Sequence, residues 1–336
     1  MSLITSRDAD SSSLEGREIV VLGYGNQGRP QALNLRDSGC SVTVAARKGG
    51  RAAERAAADG FDVLPPGEGA ATADVLMMLL PDEVQARVFD ESVRENLREG
   101  CAICFAHGFA VAFGGIESSR HDLVMVAPKG QGARLREAYL EGSGLPCLIA
   151  VAGDVSGSAR DIAVDLAGAL GCLRVGAFET TFREEAVSDI FGEQAVLVGG
   201  VPALVKKAFD LLVSRGFSPE VAYFECVHEL KIIVDLVSRR GFAGMRDVIS
   251  GTAAYGGLRY GERLVGEETE SEMEKLFDRI ESGEFARDWL EEAGEGSRTL
   301  ERMREAERRL AVEKAGKEVR RLFPGEGRGP STGGRT

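Results

Sequence analysis

The segment EIVVLGYGNQG, residues 18–28, joins a β-branched apolar run to a glycine-rich turn, and the helical stretch ALNLRDSG follows it. Gly23, Gly25 and Gly28 make the spacing G-x-G-x-x-G. That spacing alone is weak, but a strand before it and a helix after it are the context that gives it meaning. Glycines let backbone N–H groups approach a pyrophosphate, and the positive end of the helix favours its charge. The loop residues Gly23, Tyr24, Gly25, Asn26, Gln27 and Gly28 are therefore candidate dinucleotide contacts. Read without a ligand, the same residues make an ordinary glycine-rich turn.

Outward from this segment, β-rich runs alternate with helical ones. Strands are expected at 18–22, 41–46, 74–80, 101–106, 122–128 and 147–153, with Ala-rich stretches such as RAAERAAADG between them. This alternation predicts a parallel, doubly wound sheet. Beyond Arg183 the strand signals stop, and Gly- and Pro-punctuated helical segments take over. The expected layout is an N-terminal arm (1–16), a Rossmann-type α/β domain (17–182), an all-helical domain (183–323) and a disordered tail (324–336).

The end of the second strand bears on the cofactor. An acid there would bind a ribose 2′-hydroxyl, but this chain has Arg47 and Lys48, with Arg51 close by. Three cations favour a 2′-phosphate and hence NADPH, although a solvated basic loop has the same composition. His107 follows the CAICFA strand, and Lys129 ends the next one in APKGQG. Open α/β sheets bind ligands at these carboxyl ends, where a histidine and a lysine can orient a substrate or move protons. His121 reads as a surface turn residue, and His228 as structural.

Two carboxylate pairs stand out in the helical half, Asp189-x-x-x-Glu193 and Glu225-x-x-x-Glu229. A spacing of four places both members on one helix face, where like charges repel. VAYFECVHELKIIVDLV is apolar on nearly every side, which predicts a buried helix. Four hard oxygen donors from two such helices suit a binuclear Mg²⁺ site. Pairs of this spacing also arise on solvated faces, since the chain has 53 acids in 336 residues. Ser250, in VISGTAAYGG, reads by itself as a helix or turn residue.

Composition bounds the rest. At 43% hydrophobic and 28% charged the chain is that of a globular protein with room for two domains. A net charge of −12 opposes nucleic-acid and anionic-membrane partners. The start lacks a signal-peptide pattern, and the apolar runs fall short of a membrane span. Six scattered cysteines, with Cys101-x-x-Cys104 alone in its spacing, read as buried thiols in a reducing cytoplasm rather than a zinc site.

Taken in order, GYGNQG with ALNLRDSG, LLPDEVQ, FAHGF, MVAPKG, ETTFREE, DIFGEQAVL and AYFECVHELKIIVDL resemble the ketol-acid reductoisomerases of branched-chain amino-acid (valine and isoleucine) biosynthesis, in their short, class I form. The resemblance runs from about residue 15 to 320. It implies NADPH- and Mg²⁺-dependent alkyl migration and reduction of a 2-hydroxy-3-keto acid. It also implies a knotted helical C-terminal domain and a homodimer or larger homo-oligomer. By the same resemblance Asp189, Glu193, Glu225 and Glu229 bind two Mg²⁺ ions, with Glu229 also handling protons. His107 and Lys129 fall on active-site positions, and Ser250 on a substrate-carboxylate contact. Tyr24 to Gln27, Arg47, Asp82, Glu83, Val84, Gln85 and Gly132 fall on NADPH-binding positions.

The chain also departs from the family pattern. Asn26 replaces a serine of the glycine loop, Arg29-Pro30-Gln31 opens the next helix, and Gly50 and Ala52 replace two serines near the 2′-phosphate. Gly251 and Ala254 stand where acids are usual. Three readings follow: the reductoisomerase itself, a divergent paralogue acting on another 2-keto acid, and a non-catalytic NADPH-binding scaffold.

Overall fold

The structure, a computed structural model, describes residues 3–322. Eight strands form one sheet: β1 Glu18–Leu22, β2 Ser41–Ala45, β3 Val63–Leu64, β4 Val75–Met78, β5 Ala102–Phe105, β6 Asp122–Pro128, β7 Cys147–Gly153 and β8 Ala177–Glu179. Their spatial order is β3-β2-β1-β4-β5-β6-β7-β8. The first six thus keep the dinucleotide-binding order, with the reversal between β1 and β4.

Burial on both faces explains why the central strands read as continuous apolar runs. Along β1, Ile19 and Val21 join one core with Met77, Cys104 and Val124. Val20 and Leu22 join the other with Leu76, Ile103 and Met125. Cys101 and Cys104 enter opposite cores, so the thiols share no ligand, as strand alternation predicts.

Helices α1 Gly28–Asp37, α2 Arg51–Ala58, α3 Pro66–Thr72, α4 Asp82–Val88, α5 Phe109–Ala112, α6 Gly132–Leu140 and α7 Ala159–Ala169 connect the strands, and α8 Phe182–Gly192 follows β8. Residues 3–16 are docked: Ile4 pairs antiparallel with Ala177, and buried Asp165 accepts the backbone N–H groups of Asp10, Ser11 and Ser13.

Two features of the sheet and one residue beside it differ from expectation. β7 runs antiparallel to β6, because strand direction is set by the connection and leaves no trace in local periodicity. β3 and β8 are edge strands of two and three residues, too short to show a pattern. His121 is buried, only 4% exposed, immediately before β6.

The chain divides into two compact units after Ser188, inside α8. The second unit holds α9 Gly200–Ser214, α10 Pro219–Tyr223, α11 Glu229–Arg246, α12 Gly251–Leu264, α13 Glu267–Glu281, α14 Glu284–Gly294, α15 Arg298–Arg308 and α16 Ala311–Arg320. Its core gathers Phe209, Ala222 and Tyr223 against Val312, Ala315 and Val319. The expected buried helix is not buried: on α11, Ile232 is 55% and Val234 54% exposed. Apolarity on all sides requires cover but does not say that the same chain supplies it. The expected disordered tail lies outside the described residues. Among those residues, no helix is long and apolar enough to cross a membrane.

Candidate active site

Three neighbouring strands, β4, β5 and β6, deliver residues to the carboxyl edge of the sheet next to the reversal. β4 leads into Asp82 at the start of α4, β5 into His107, and β6 into Lys129. His107 Nδ1 lies 3.1 Å from Asp82 Oδ2. The imidazole stacks over Phe109, with ring centroids 6.4 Å apart. Its other nitrogen, Nε2, is 3.7 Å from Glu185 Oε2.

Glu185 is the residue that sequence reasoning missed. It sits on α8, is 1% exposed, and accepts from Lys129 Nζ at 2.7 Å and from the Gly108 backbone N–H at 2.7 Å. A buried carboxylate needs such partners, because an unpaired one is strongly disfavoured. A line of polar groups therefore runs from Asp82 through His107 and Glu185 to Lys129. The signal was present: Glu185 lies one helical turn before Asp189, the same spacing as in the two recognised pairs.

The dinucleotide loop is equally specific in shape. Gly23 has φ +100°, and a Cβ there would stand 2.7 Å from the Leu79 carbonyl oxygen. Any side chain at Gly28 would collide with the Gly23 carbonyl, whereas Gly25 faces open space. Gln27, the residue before α1, provides no side-chain cap, but Arg29 and Gln31 donate their N–H groups to the Gly25 and Gln27 carbonyls and Pro30 has none, so an anion would be met by the loop N–H groups and that of Gly28. The loop also touches the segment after β6: Gln27 Nε2 donates to the Gly130 carbonyl at 3.3 Å, and Gly132 lies directly beneath the Asn26 carbonyl.

Arg47, Lys48 and Arg51 are exposed around the turn that opens α2, which also lacks a side-chain cap. Gln85 is buried and donates to the Leu80 carbonyl, which ties the start of α4 to the end of β4. Its Oε1 has no hydrogen-bond partner among the described residues. Glu83 is exposed and Val84 half-buried. Open space at Gly25, uncapped helix starts and cations beyond β2 fit an NADP-type dinucleotide. The Tyr24 residue is only 2% exposed and its hydroxyl donates to Asp59, so its backbone is what it offers a dinucleotide in the loop.

In the helical unit, both predicted carboxylate pairs adjoin wide π-helical turns, Glu193–Leu197 and Phe224–His228. Such turns are rare and cluster at functional sites. Asp189 is half-buried, while Glu193, Glu225 and Glu229 are exposed. This corrects the expectation of buried acids. No three of the four bring ligand atoms within 4.8 Å of one another. The donor set, carboxylate oxygens accessible to solvent, is nonetheless that of a hard divalent cation. His228 rests edge-on against Phe224 at 5.6 Å, in keeping with a structural role. Ser250 caps α12, its Oγ accepting from the Ala253 N–H at 3.1 Å.

Comparison with known proteins gives a consistent result over nearly all of the chain. Residues 13–176 match the family described as acetohydroxy acid isomeroreductase, NADPH-binding domain, and residues 182–325 match the ketol-acid reductoisomerase C-terminal domain. The NADP(+) ketol-acid reductoisomerase of Pyrobaculum aerophilum is 47% identical, over 96% of this chain and 99% of its own length. That of Methanopyrus kandleri is also 47% identical, over 94% and 96%. A solved NADH-preferring ketol-acid reductoisomerase from an uncultured archaeon superposes with a TM-score of 0.92 at 42% identity, over 96% of this chain and 99% of that one.

Proposed function

We propose, from the premise that this chain belongs to the ketol-acid reductoisomerase family, a division of labour among its own residues. The family activity is NADP-dependent: a 2-hydroxy-3-keto acid of the acetolactate type is rearranged and reduced to a 2,3-dihydroxy acid. When bound, two Mg²⁺ ions would supply Lewis-acid activation of the ketone and hydroxyl for alkyl migration, and NADPH the hydride. Asp189, Glu193, Glu225 and Glu229 hold the metals, with Glu229 also accepting a proton. Lys129 Nζ, oriented by Glu185, delivers a proton to substrate oxygen. His107 is kept in one orientation by Asp82 and Glu185 on its two sides. Ser250 Oγ accepts from its own helix, which leaves its proton to donate to the substrate carboxylate.

The observation that carries this reading is the Asp82–His107–Glu185–Lys129 line at the carboxyl edge of the sheet. A scaffold protein has no use for a buried carboxylate matched to a lysine in that place. High identity along the whole chain likewise disfavours a paralogue with a different reaction.

Cofactor preference is for NADPH, through Arg47, Lys48 and Arg51, even though a relative of 42% identity is NADH-preferring. The working unit is a homodimer or larger assembly, in a reducing cytoplasm. Exposed Ile232, Val234, Tyr255 and Leu258 on α11 and α12 form the kind of apolar surface that a second copy covers. The test is NADPH oxidation with acetolactate, with and without Mg²⁺, and product analysis. Dihydroxyisovalerate formed only with metal supports the reading. Brisk reduction of 3-hydroxypyruvate or ketopantoate with no turnover of acetolactate would replace it with the paralogue reading.

A further inference from the structure

Asp59 occupies a place that disfavours an acid. It is the residue that ends α2, where the helix dipole presents its negative end. The structure surrounds it with compensation from the glycine loop and α1. Arg29, in the first turn of α1, forks onto the carboxylate, with Nε 2.6 Å from Oδ2 and Nη2 2.9 Å from Oδ1. The buried Tyr24 hydroxyl donates to Oδ2 at 2.8 Å. Arg36, two turns along α1, donates to the Asp59 backbone carbonyl at 2.7 Å and lies over the Phe61 ring at 4.7 Å. Tyr24 meets the same ring edge-on, with centroids 5.8 Å apart. The Arg29 fork holds the Asp59 carboxyl below the usual range for an aspartate, as a shared ion pair should.

The position of this cluster gives it meaning. α2 is a helix of eight residues, roughly 12 Å long. One end is fastened to the glycine loop through Asp59. The other begins at Arg51, just after Arg47 and Lys48. The clamp therefore fixes the span between the loop that cradles a pyrophosphate and the cationic turn that would meet a ribose 2′-substituent. Gly50 and Ala52 carry no hydroxyl that could hold that substituent by short hydrogen bonds. Recognition rests instead on long cationic side chains, whose reach depends on where α2 sits.

We propose that Arg29, Asp59 and Tyr24 form a positioning clamp that sets the cationic turn Arg47–Arg51 against the glycine loop and so makes the enzyme select a 2′-phosphorylated dinucleotide. The proposal rests on the NADP reading of the site. Its consequence is selective. Pyrophosphate, adenine and nicotinamide are common to both cofactors, so a displaced α2 weakens NADPH and leaves NADH nearly untouched. A clamp that serves stability alone lowers the melting temperature and weakens both cofactors equally.

The experiment uses the purified full-length protein. Dissociation constants for NADPH, NADH, 2′,5′-ADP and 5′-AMP are measured by calorimetry on wild type, Asp59→Asn, Arg29→Met and Arg36→Met, with melting temperatures alongside. Asp59→Asn is nearly isosteric and keeps a partner for Tyr24, while Arg29→Met retains the packing of the stem. Both are expected to weaken NADPH and 2′,5′-ADP about 10-fold, close to 1.4 kcal/mol, and NADH and 5′-AMP less than 2-fold. Arg36→Met, which removes the bond to the Asp59 backbone carbonyl and the stacking on Phe61 but no contact with the carboxylate, should shift the preference less than either. Equal loss for NADPH and NADH, or a fall in melting temperature with unchanged dissociation constants, would overturn the clamp. A wild type that binds NADPH no better than NADH would instead remove the cofactor reading beneath it.

Discussion

Replacing Glu185 with Gln tests the site at its most constrained atom. One carboxylate oxygen accepts from Lys129 Nζ and the other from the Gly108 N–H, both at 2.7 Å, and the side chain is 1% exposed. A glutamine has one accepting end. If its oxygen faces Lys129, its NH₂ meets the Gly108 N–H; in the other orientation the NH₂ meets an ammonium. Either way two donors face each other in a buried place. Hydrogen bonds to charged groups contribute about 1.5–3 kcal/mol, and breaking a buried pair costs about 3–5 kcal/mol. Lys129 is one-third exposed, so water can recover part of the loss. The expected destabilisation is therefore about 1–3 kcal/mol. Turnover should suffer more, because Lys129 and His107 both lose the group that aims them, and positioned proton transfer contributes about 10²–10⁴-fold. The prediction is a fall in kcat of about 100-fold or more at saturating Mg²⁺ and NADPH, with the NADPH dissociation constant within 2-fold of wild type. Single-turnover kinetics beside a urea denaturation curve would measure both effects. A kcat within 3-fold of wild type in a folded variant would refute the argument that Glu185 organises the site.

Three further outcomes follow from other parts of the molecule. Glu225→Gln should abolish Mg²⁺-dependent turnover while leaving NADPH affinity intact, and calorimetry detecting no Mg²⁺ binding to wild type would contradict the metal assignment. Asp59 is held below its unfolded value, chiefly by the Arg29 hydrogen bonds, so its contribution to stability is present above about pH 4 and disappears as pH falls through the lower folded value. The urea midpoints of wild type and Asp59→Asn should accordingly differ at pH 6 and converge toward pH 3; a constant gap would argue against the ion pair. Burial pushes the Cys101 and Cys104 thiols up to about 12, so neither should react promptly with Ellman's reagent at pH 8 in the folded protein, and mass mapping of a fast-labelled Cys101 or Cys104 would show that the cores open more readily than their packing implies.

The division between what was legible in the residues and what was not follows the range of the interactions. The strand, glycine turn and helix of residues 18–39 are coded locally, by β-branched side chains, by Gly23 and Gly28, which leave no room for a side chain, and by helical periodicity. The carboxyl-edge placement of His107 and Lys129 was equally legible, because a strand end is a local event. Edge strands β3 and β8 were not, since Val63 is held by pairing with Val44, and Ala177 by pairing with Cys147 and Ile4, all distant in sequence. Nor was the direction of β7, which depends on the path of the chain around α6.

Glu185 marks the boundary between the two kinds of information most clearly. Glu184 and Glu185 are adjacent acids of equal propensity in ETTFREE. Glu184 is exposed and accepts from the Thr180 hydroxyl, whereas Glu185 turns inward to Lys129. What separates them is the phase of α8, set by Phe182, Ala186 and Ile190, all of which are buried. The apolar stripe of that helix can be read from sequence, but the cation waiting behind it comes from a strand end more than fifty residues upstream. The same reasoning explains the exposed α11. Its Ile and Val residues predicted a buried helix, yet hydrophobicity has no direction and names no partner, and within this chain the helix stays exposed. In the proposed homo-oligomer the cover of α11 is a property of the assembly, whereas the pairing of Glu185 with Lys129 lies within a single folded unit. For that reason Glu185→Gln should act at any protein concentration. A charge placed at Val234 should act through assembly, and its effect should diminish as the concentration rises.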